Sequence, residues 1–343
     1  MIAKKYDILA IGAPFIDLIL HVSEEFLATI PGEKKGMEPT DHNSLLKIIQ
    51  ASQQTPFIIP GGSGANTIKG LTNLGHTCAI VGKIGTDDLG RLFEQEITNL
   101  GVQSLFLPTN TPTGQSLCLV TPNGERTMRS FLGASQEMTA VDLKPEFFRG
   151  VKLVHIEGHS LLNGSLAVRA MELAKEVGAK ISFDLGSFEI VSLYKETILS
   201  LLERYVDIVF CNREEAEHLT GKSPEEACRE LKEICLVAVV LMGKEGCWVG
   251  DRSKNGCAEE NGNGKRKDVF QCPAYPVTPI DTTGAGDLFA SGFLHGFFNG
   301  EPLKECARYG ALLGAAVVQV QGTKIPTDIW AQLKQKIVSS SSS

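Results

Sequence analysis

Long apolar runs, positive charge and paired cysteines are all scarce in this 343-residue sequence, and each shortage removes a class of function. No apolar stretch reaches the roughly 20 residues that a membrane-spanning helix needs, so no membrane partner is expected. The formal net charge is −7, which offers no electrostatic footprint for nucleic acid or an acidic membrane surface. The nine cysteines are scattered, with no C-x-x-C pair and no histidine cluster beside them. Free thiols in a reducing cytoplasm are therefore expected, and structural zinc is not. A leader peptide is not expected either, because the apolar run at 8–11 is short and Asp7 and Asp17 bracket it. No G-x-x-x-x-G-K-[ST] occurs; Gly264-Lys265-Arg266 fails at the last position, which excludes a P-loop. Gly62-Ser63-Gly64-Ala65-Asn66-Thr67 starts like a dinucleotide fingerprint but carries Thr67 where the last glycine belongs. Pro60 also argues against the strand that should precede it.

What is present is an ordinary globular composition, 43% hydrophobic and 21% charged, enough for a sizeable core. Short apolar runs at 6–11, 78–84, 152–156, 180–184, 207–211 and 237–242 alternate with amphipathic stretches of helical length. That rhythm predicts an α/β fold with a mostly parallel central sheet and helices on both faces. Two segments interrupt it. Residues 16–22 read as a second strand, and 116–121 and 126–132 flank an Asn-Gly turn, a hairpin signature. The hairpin is assigned to a small appended sheet. Residues 251–268 read as a polar hairpin tip and 339–343 as a disordered serine tail.

Pro279-Ile280-Asp281-Thr282-Thr283-Gly284-Ala285-Gly286-Asp287 ends an apolar segment and opens a small-residue helix. A helix start offers unpaired N–H groups and partial positive charge. Gly284, Ala285 and Gly286 let an anion reach that backbone, and Asp287 places a carboxylate beside it. Donors for developing charge plus a base for a hydroxyl nucleophile suit phosphoryl transfer. A plain helix start with a charge-complementing Asp fits the same residues. So does a capping box at Asn212-Arg213-Glu214-Glu215. Asp17 is an acid in an apolar run, read either as a strand-end surface residue or as a ligand for paired hydroxyls. His155, Glu157 and His159 are read as structural.

These residues resemble two signatures of the ribokinase-like (PfkB) family of sugar and nucleoside kinases: Gly61-Gly62-Ser63-Gly64-Ala65-Asn66 and Asp281-Thr282-Thr283-Gly284-Ala285-Gly286-Asp287. Gly82-Lys83-Ile84-Gly85-Thr86-Asp87-Asp88-Leu89-Gly90, Asn212-Arg213-Glu214-Glu215 and Met242-Gly243-Lys244-Glu245-Gly246 match further family segments in order, so the likeness runs from about 6 to 326. The resemblance implies one ribokinase-like domain over 1–338 with a β lid built from about 16–56 and 110–133. It implies Asp287 as general base with Gly284, Ala285 and Gly286 as anion hole, and Asp17, Gly61, Gly62 and Asn66 at the acceptor. Asn212, Gly243 and Thr283 would meet ATP, and Asn212 with Glu215 would organise Mg²⁺, largely through water. The partner implied is a small-molecule acceptor, with the chain a monomer or homodimer. The 71–75 and 124–128 segments and Lys35-Gly36-Met37 look most like the adenosine-kinase-like branch, with Met37, Phe131 and Leu132 as candidate walls of a base slot. Ser63-Gly64-Ala65 departs from the Ser-x-Gln of eukaryotic-type adenosine kinases. That keeps inosine, guanosine, ribose or fructose in play, and a catalytically dead binding protein on this fold is a further alternative that Asp287 argues against.

Overall fold

The computed structural model describes residues 6–34, 36–123, 125–252 and 268–340. Lys35, the turn glycine Gly124, the body of the polar tip (253–267) and the last three serines of the tail lie outside the described residues. In chain order the strands are β1 (Ile8–Ile11), β2 (Phe15–His21), β3 (Met37–Pro39), β4 (Phe57–Gly61), β5 (Cys78–Gly85), β6 (Gln103–Thr109), β7 (Gly114–Val120), β8 (Arg126–Phe131), β9 (Leu153–Glu157), β10 (Lys180–Asp184), β11 (Ile208–Asn212), β12 (Val237–Leu241), β13 (Cys247–Asp251) and β14 (Val269–Cys272). Among the described residues they form a sheet in the order β14-β13-β12-β11-β10-β9-β1-β5-β6 and a second in the order β3-β8-β7-β2-β4. From β12 through to β6 the large sheet is parallel; β13 and β14 join it antiparallel.

Strands buried on both faces explain why these runs read as unbroken apolar stretches. Ile8, Ala10, Ile208, Phe210, Val237 and Val239 point into one core. Their neighbours Leu9, Ile11, Val209, Cys211, Ala238 and Val240 point into another, on the opposite face. The predicted α/β architecture is the one the chain adopts. The two faces of the second sheet differ, although Ile19, Ile59 and Cys118 form a small buried cluster of their own. Ile16, Leu18, Leu20, Leu117 and Leu119 enter the core, whereas Phe15, Asp17, Ser116 and Met128 turn to an internal cavity.

Four local expectations need correction. Pro60 lies inside β4, at the edge of the second sheet, where a missing N–H leaves no ladder bond unmade. The second sheet thus reaches Gly61, beyond the expected 16–56 segment. The edge strand β6 escapes detection because it is half-buried along its length and lacks a clean two-residue alternation. The helix Phe188–Arg204 is longer than its sequence pattern, which predicts a helix only over 195–205, since the non-helical Tyr194 splits it and only the second piece carries the pattern. Finally, the helix Thr327–Ser340 takes in Ser339 and Ser340, and Ser339 Oγ donates to the Lys336 carbonyl at 3.3 Å, a back-bond that lets serine continue a helix.

Two helices deserve emphasis because they carry the motif residues, Ser63–Asn73 and Ala285–Phe298. The second is seated on the sheet by Phe293, edge-on to Phe210 with ring centroids 5.4 Å apart. They approach each other through Gly70: a Cβ there would lie 2.3 Å from Ser291 Oγ and 2.6 Å from Ser291 Cβ. Gly70→Ala gains about 1 kcal/mol of helix propensity yet is expected to lose about 1–3 kcal/mol overall through overpacking. Urea unfolding measures this, and unchanged stability would show that the helices are not in such close contact.

Candidate active site

The motif residues gather at the carboxyl edge of the large sheet, the ligand-binding edge of such folds. Ala13 follows β1, Glu157 ends β9, Asp184 ends β10, Asn212 ends β11 and Gly243 follows β12. Helices beginning after Asp41, Asp87, Ser187 and Asn212 are capped by those side chains. The two that begin after Gly62 and Gly284 have no side-chain cap. Both glycines are left-handed, with φ of 91° and 72°. A Cβ would lie 2.4 Å from the Ala13 carbonyl oxygen at Gly62 and 2.4 Å from Thr323 Cγ2 at Gly284. Gly286 is less constrained, its nearest contact being an ordinary 3.6 Å to Leu241.

Asp287 bridges these two helix starts. Ser63 Oγ donates to its Oδ1 at 2.8 Å and Asn66 Nδ2 to its Oδ2 at 2.9 Å. Burial pushes the carboxyl up to about 6, the Asn66 and Ser63 bonds pull it down, and nearby Glu157 and His159 push and pull in turn. Asn66, expected at the acceptor, commits one amide hydrogen to Asp287 and its oxygen to the Thr323 hydroxyl at 3.1 Å. Its second amide hydrogen has no such partner. Glu157, read as structural, accepts from Ala13 N–H and Gly64 N–H, each at 2.8 Å, and ties β1 to the Gly62 helix start. His155 is a core residue bonded to Ser182 at 2.9 Å. His159, by contrast, lines the cavity.

Asp17 faces this cavity from β2, and Gly61 is what lets it lie against β4: a Cβ on Gly61 would be 2.4 Å from Asp17 Oδ2. Burial raises Asp17 to about 6; Lys69 lowers it, Asp287 and Asp281 raise it, and Arg126 lowers it. The cavity has a volume of about 460 Å³, and its lining joins Asp17, Gly62 and Ser63 to apolar Phe15, Met37 and Met128. Leu132 and Met138 extend the apolar wall. Phe131 is not part of it; that ring packs on His42 with centroids 5.1 Å apart. A second cavity, about 200 Å³, lies on the other side of Asp17 against Arg126, Asp281 and Thr283.

Arg126 was missed from the sequence. Its guanidinium reaches from β8 to pair with Asp281 and to donate to Thr283 Oγ1, joining the second sheet to the glycine loop. Asp281 also accepts from Thr283 N–H at 2.7 Å and Gly322 N–H at 2.9 Å. Its carboxyl is held below the ordinary value: burial raises it, and the Gly322, Thr283 and Arg126 bonds outweigh that. The available signal was position, since an arginine just past an Asn-Gly turn is carried on a hairpin tip.

Asn212 and Glu215 form the capping box. Asn212 N–H donates to Glu215 Oε2 at 2.8 Å, its amide to Oε1 at 2.7 Å, and Glu215 N–H to Asn212 Oδ1 at 2.9 Å. Burial raises Glu215 to about 7 and raises Asp184 beside it, where Glu215 and Asp287 add to the effect. Both Glu215 oxygens are thus engaged, and among the described residues no group of three His, Cys, Asp or Glu side chains could enclose a metal ion. A direct protein cage for Mg²⁺ does not fit these residues. Gly243 has φ 57° and open space around it, a bare backbone corner beyond β12.

Residues 43–330 match the pfkB family carbohydrate kinase description. The chain belongs to the pfkB kinase family. Members transfer a phosphoryl group to a hydroxyl. This pfkB kinase superposes on adenosine kinase from Sinorhizobium meliloti with a TM-score of 0.85 at 30% identity, covering 97% of this chain and 100% of that one. Fructokinase-1 of Zea mays is 30% identical over 68% of this chain and 72% of its own. Nucleoside kinase of Methanothermobacter thermautotrophicus is 23% identical over 93% and 91%.

A carboxyl whose folded value is about 6 against an ordinary 3.8 binds its proton more tightly in the folded state. Ionised Asp287 therefore destabilises this pfkB kinase above pH 6, and the deficit closes as pH falls toward 4. Asn can keep both bonds, its carbonyl accepting from Asn66 and its amide donating to Ser63. Asp287→Asn is expected to be more stable at pH 7.5 by about 1–3 kcal/mol, and to lose that advantage near pH 4. A destabilised variant at pH 7.5 would show that the two hydrogen bonds outweigh burial.

Proposed function

We propose that this pfkB kinase transfers the γ-phosphoryl group of ATP to the 5′-hydroxyl of a nucleoside resembling adenosine. The observation that carries the acceptor class is the cavity beneath the second sheet. Its lining sets Asp17, Gly62 and Ser63 beside an apolar wall that includes Phe15, Met37, Met128, Leu132 and Met138. A free sugar presents hydroxyls on every side and would leave that wall unmatched. A nucleoside offers vicinal hydroxyls to a carboxylate and a flat base to thioethers and a ring.

In this reading Asp17 accepts two hydrogen bonds from the ribose, and Gly61 and Gly62 let the sugar approach the backbone. The free amide hydrogen of Asn66 adds a donor. The 5′-hydroxyl takes the place of Ser63 Oγ on Asp287, which needs only rotation of a serine hydroxyl. Asp287 then takes the hydroxyl proton as the new oxygen–phosphorus bond forms and the bond to ADP breaks. The N–H groups of Gly284, Ala285 and Gly286 stabilise charge on the transferring group, with Arg126 near the same loop. Asn212, Gly243 and Thr283 would meet ATP, and Mg²⁺ would arrive bound to the ATP phosphates as part of the substrate. The second sheet, over 15–61 and 114–131, would serve as the lid that keeps water from competing as acceptor. A sugar acceptor remains the second reading, favoured by the identity to fructokinase-1.

With Mg-ATP, purified protein is expected to consume ATP faster with adenosine than with ribose or fructose. Clear preference for fructose or ribose would remove the nucleoside reading and leave the kinase. Asp287→Asn should retain ATP binding and lose about 10²–10⁴-fold in kcat. A variant turning over at the wild-type rate would show that another group is the base.

A further inference from the structure

The helix Ser63–Asn73 carries an unusual residue three positions after Asn66. Lys69 is nearly buried, its side chain 12% exposed, in a residue type that is rarely inside unless paired. Its ammonium donates to the Pro60 carbonyl at 2.7 Å and to Glu96 Oε1 at 2.6 Å, and lies 5.8 Å from the Phe93 ring centroid. The plain account is a strut between β4 and the helix Asp88–Asn99.

Two geometric facts extend it. Pro60 immediately precedes Gly61, the residue against which Asp17 Oδ2 rests, and β2 and β4 are paired with Asp17 opposite Ile59. Lys69 therefore grips the strand end that forms the floor under Asp17. Charge points the same way. The groups facing Asp17 are Lys69 from this helix, Asp287 from the helix Ala285–Phe298, Asp281 from the loop before it, and Arg126 from β8. The Cys118 thiol on β7 also faces Asp17. Two of these are carboxylates, and of the two cations Lys69 is the stronger influence on Asp17. A protonated carboxyl cannot accept two hydroxyls as a carboxylate does, so acceptor binding depends on the charge being kept.

We infer that Lys69 is a positioning residue for the acceptor, keeping Asp17 an ionised carboxylate and holding the Pro60-Gly61-Gly62 corner against it. The inference rests on the acceptor role of Asp17 proposed above. A strut and a charge partner differ in what they couple to. A strut acts on the fold whatever stands at position 17, whereas a charge partner acts through Asp17.

The test is steady-state kinetics at pH 7.5 with the best acceptor of the panel, on Lys69→Met, Asp17→Asn, the double variant and Glu96→Gln. Lys69→Met should raise the acceptor KM about tenfold or more, with kcat and the ATP KM within about threefold. In the Asp17→Asn background the same change should add less than about twofold. Glu96→Gln, which breaks the same ion pair but leaves the lysine charge in place, should keep the acceptor KM within about threefold. Should Lys69→Met not fold, Lys69→Gln, which can still donate to the Pro60 carbonyl but carries no charge, should raise the acceptor KM likewise, and an unchanged KM would overturn the inference. Multiplicative effects of Lys69→Met and Asp17→Asn, or a Glu96→Gln penalty as large as that of Lys69→Met, would reduce Lys69 to a strut. An unchanged acceptor KM in Lys69→Met, beside a raised one in Asp17→Asn, overturns this inference alone. Wild-type KM in Asp17→Asn overturns the acceptor reading itself.

Discussion

One carboxylate, Asp287, is held by two side chains from the facing helix, Ser63 and Asn66, and much of the architecture follows from that junction. A buried acid with two donors needs the two helices to start within a few ångströms of each other. That requires glycines where the chain turns left-handed, at Gly62 and Gly284, and where the helix flanks meet, at Gly70. The acid is held above its ordinary value by burial, an arrangement that costs stability and brings its proton affinity closer to the range that neutral-pH proton transfer uses.

The surrounding charges are arranged with similar economy. Glu157 is satisfied by two backbone N–H groups, Asp281 by Arg126 and two more, and Glu215 by its own helix cap. Among the described residues Asp17 has no comparable hydrogen-bond set; Lys69 and Arg126 lower its proton affinity against burial. It lines the 460 Å³ cavity together with apolar Phe15, Met37 and Met128.

Much of this was legible in the sequence because it is local. The strand–helix rhythm, both glycine clusters, the Asn-Gly hairpin and the Asn212 capping box are written in consecutive residues, and the structure contains them. Contacts that join distant segments were not legible. Arg126 meets Asp281 across 155 positions of sequence, and Lys69 reaches Pro60 and Glu96 from the interior of a helix whose pattern shows only an isolated charge. Asn66 was placed at the acceptor by its motif, and the structure adds that its amide donates to Asp287. Pro60 misled because proline excludes a strand only in a sheet interior, and edge position is a tertiary property. Phe131 and Leu132 adjoin in sequence, but Phe131 ends β8 and packs on His42, whereas Leu132, where the chain leaves the strand, lines the cavity.

The central claim is that a buried, ionised Asp287 acts as the base beside an ionised Asp17 at the acceptor. The direct measurement is the pH dependence of kcat/KM for the acceptor, which reports groups in the free enzyme. Both carboxyls titrate at about 6, so the account predicts a plateau above neutrality and a steep loss below pH 6, with a limiting slope approaching two. A value of kcat/KM that stayed level down to pH 5 would contradict it.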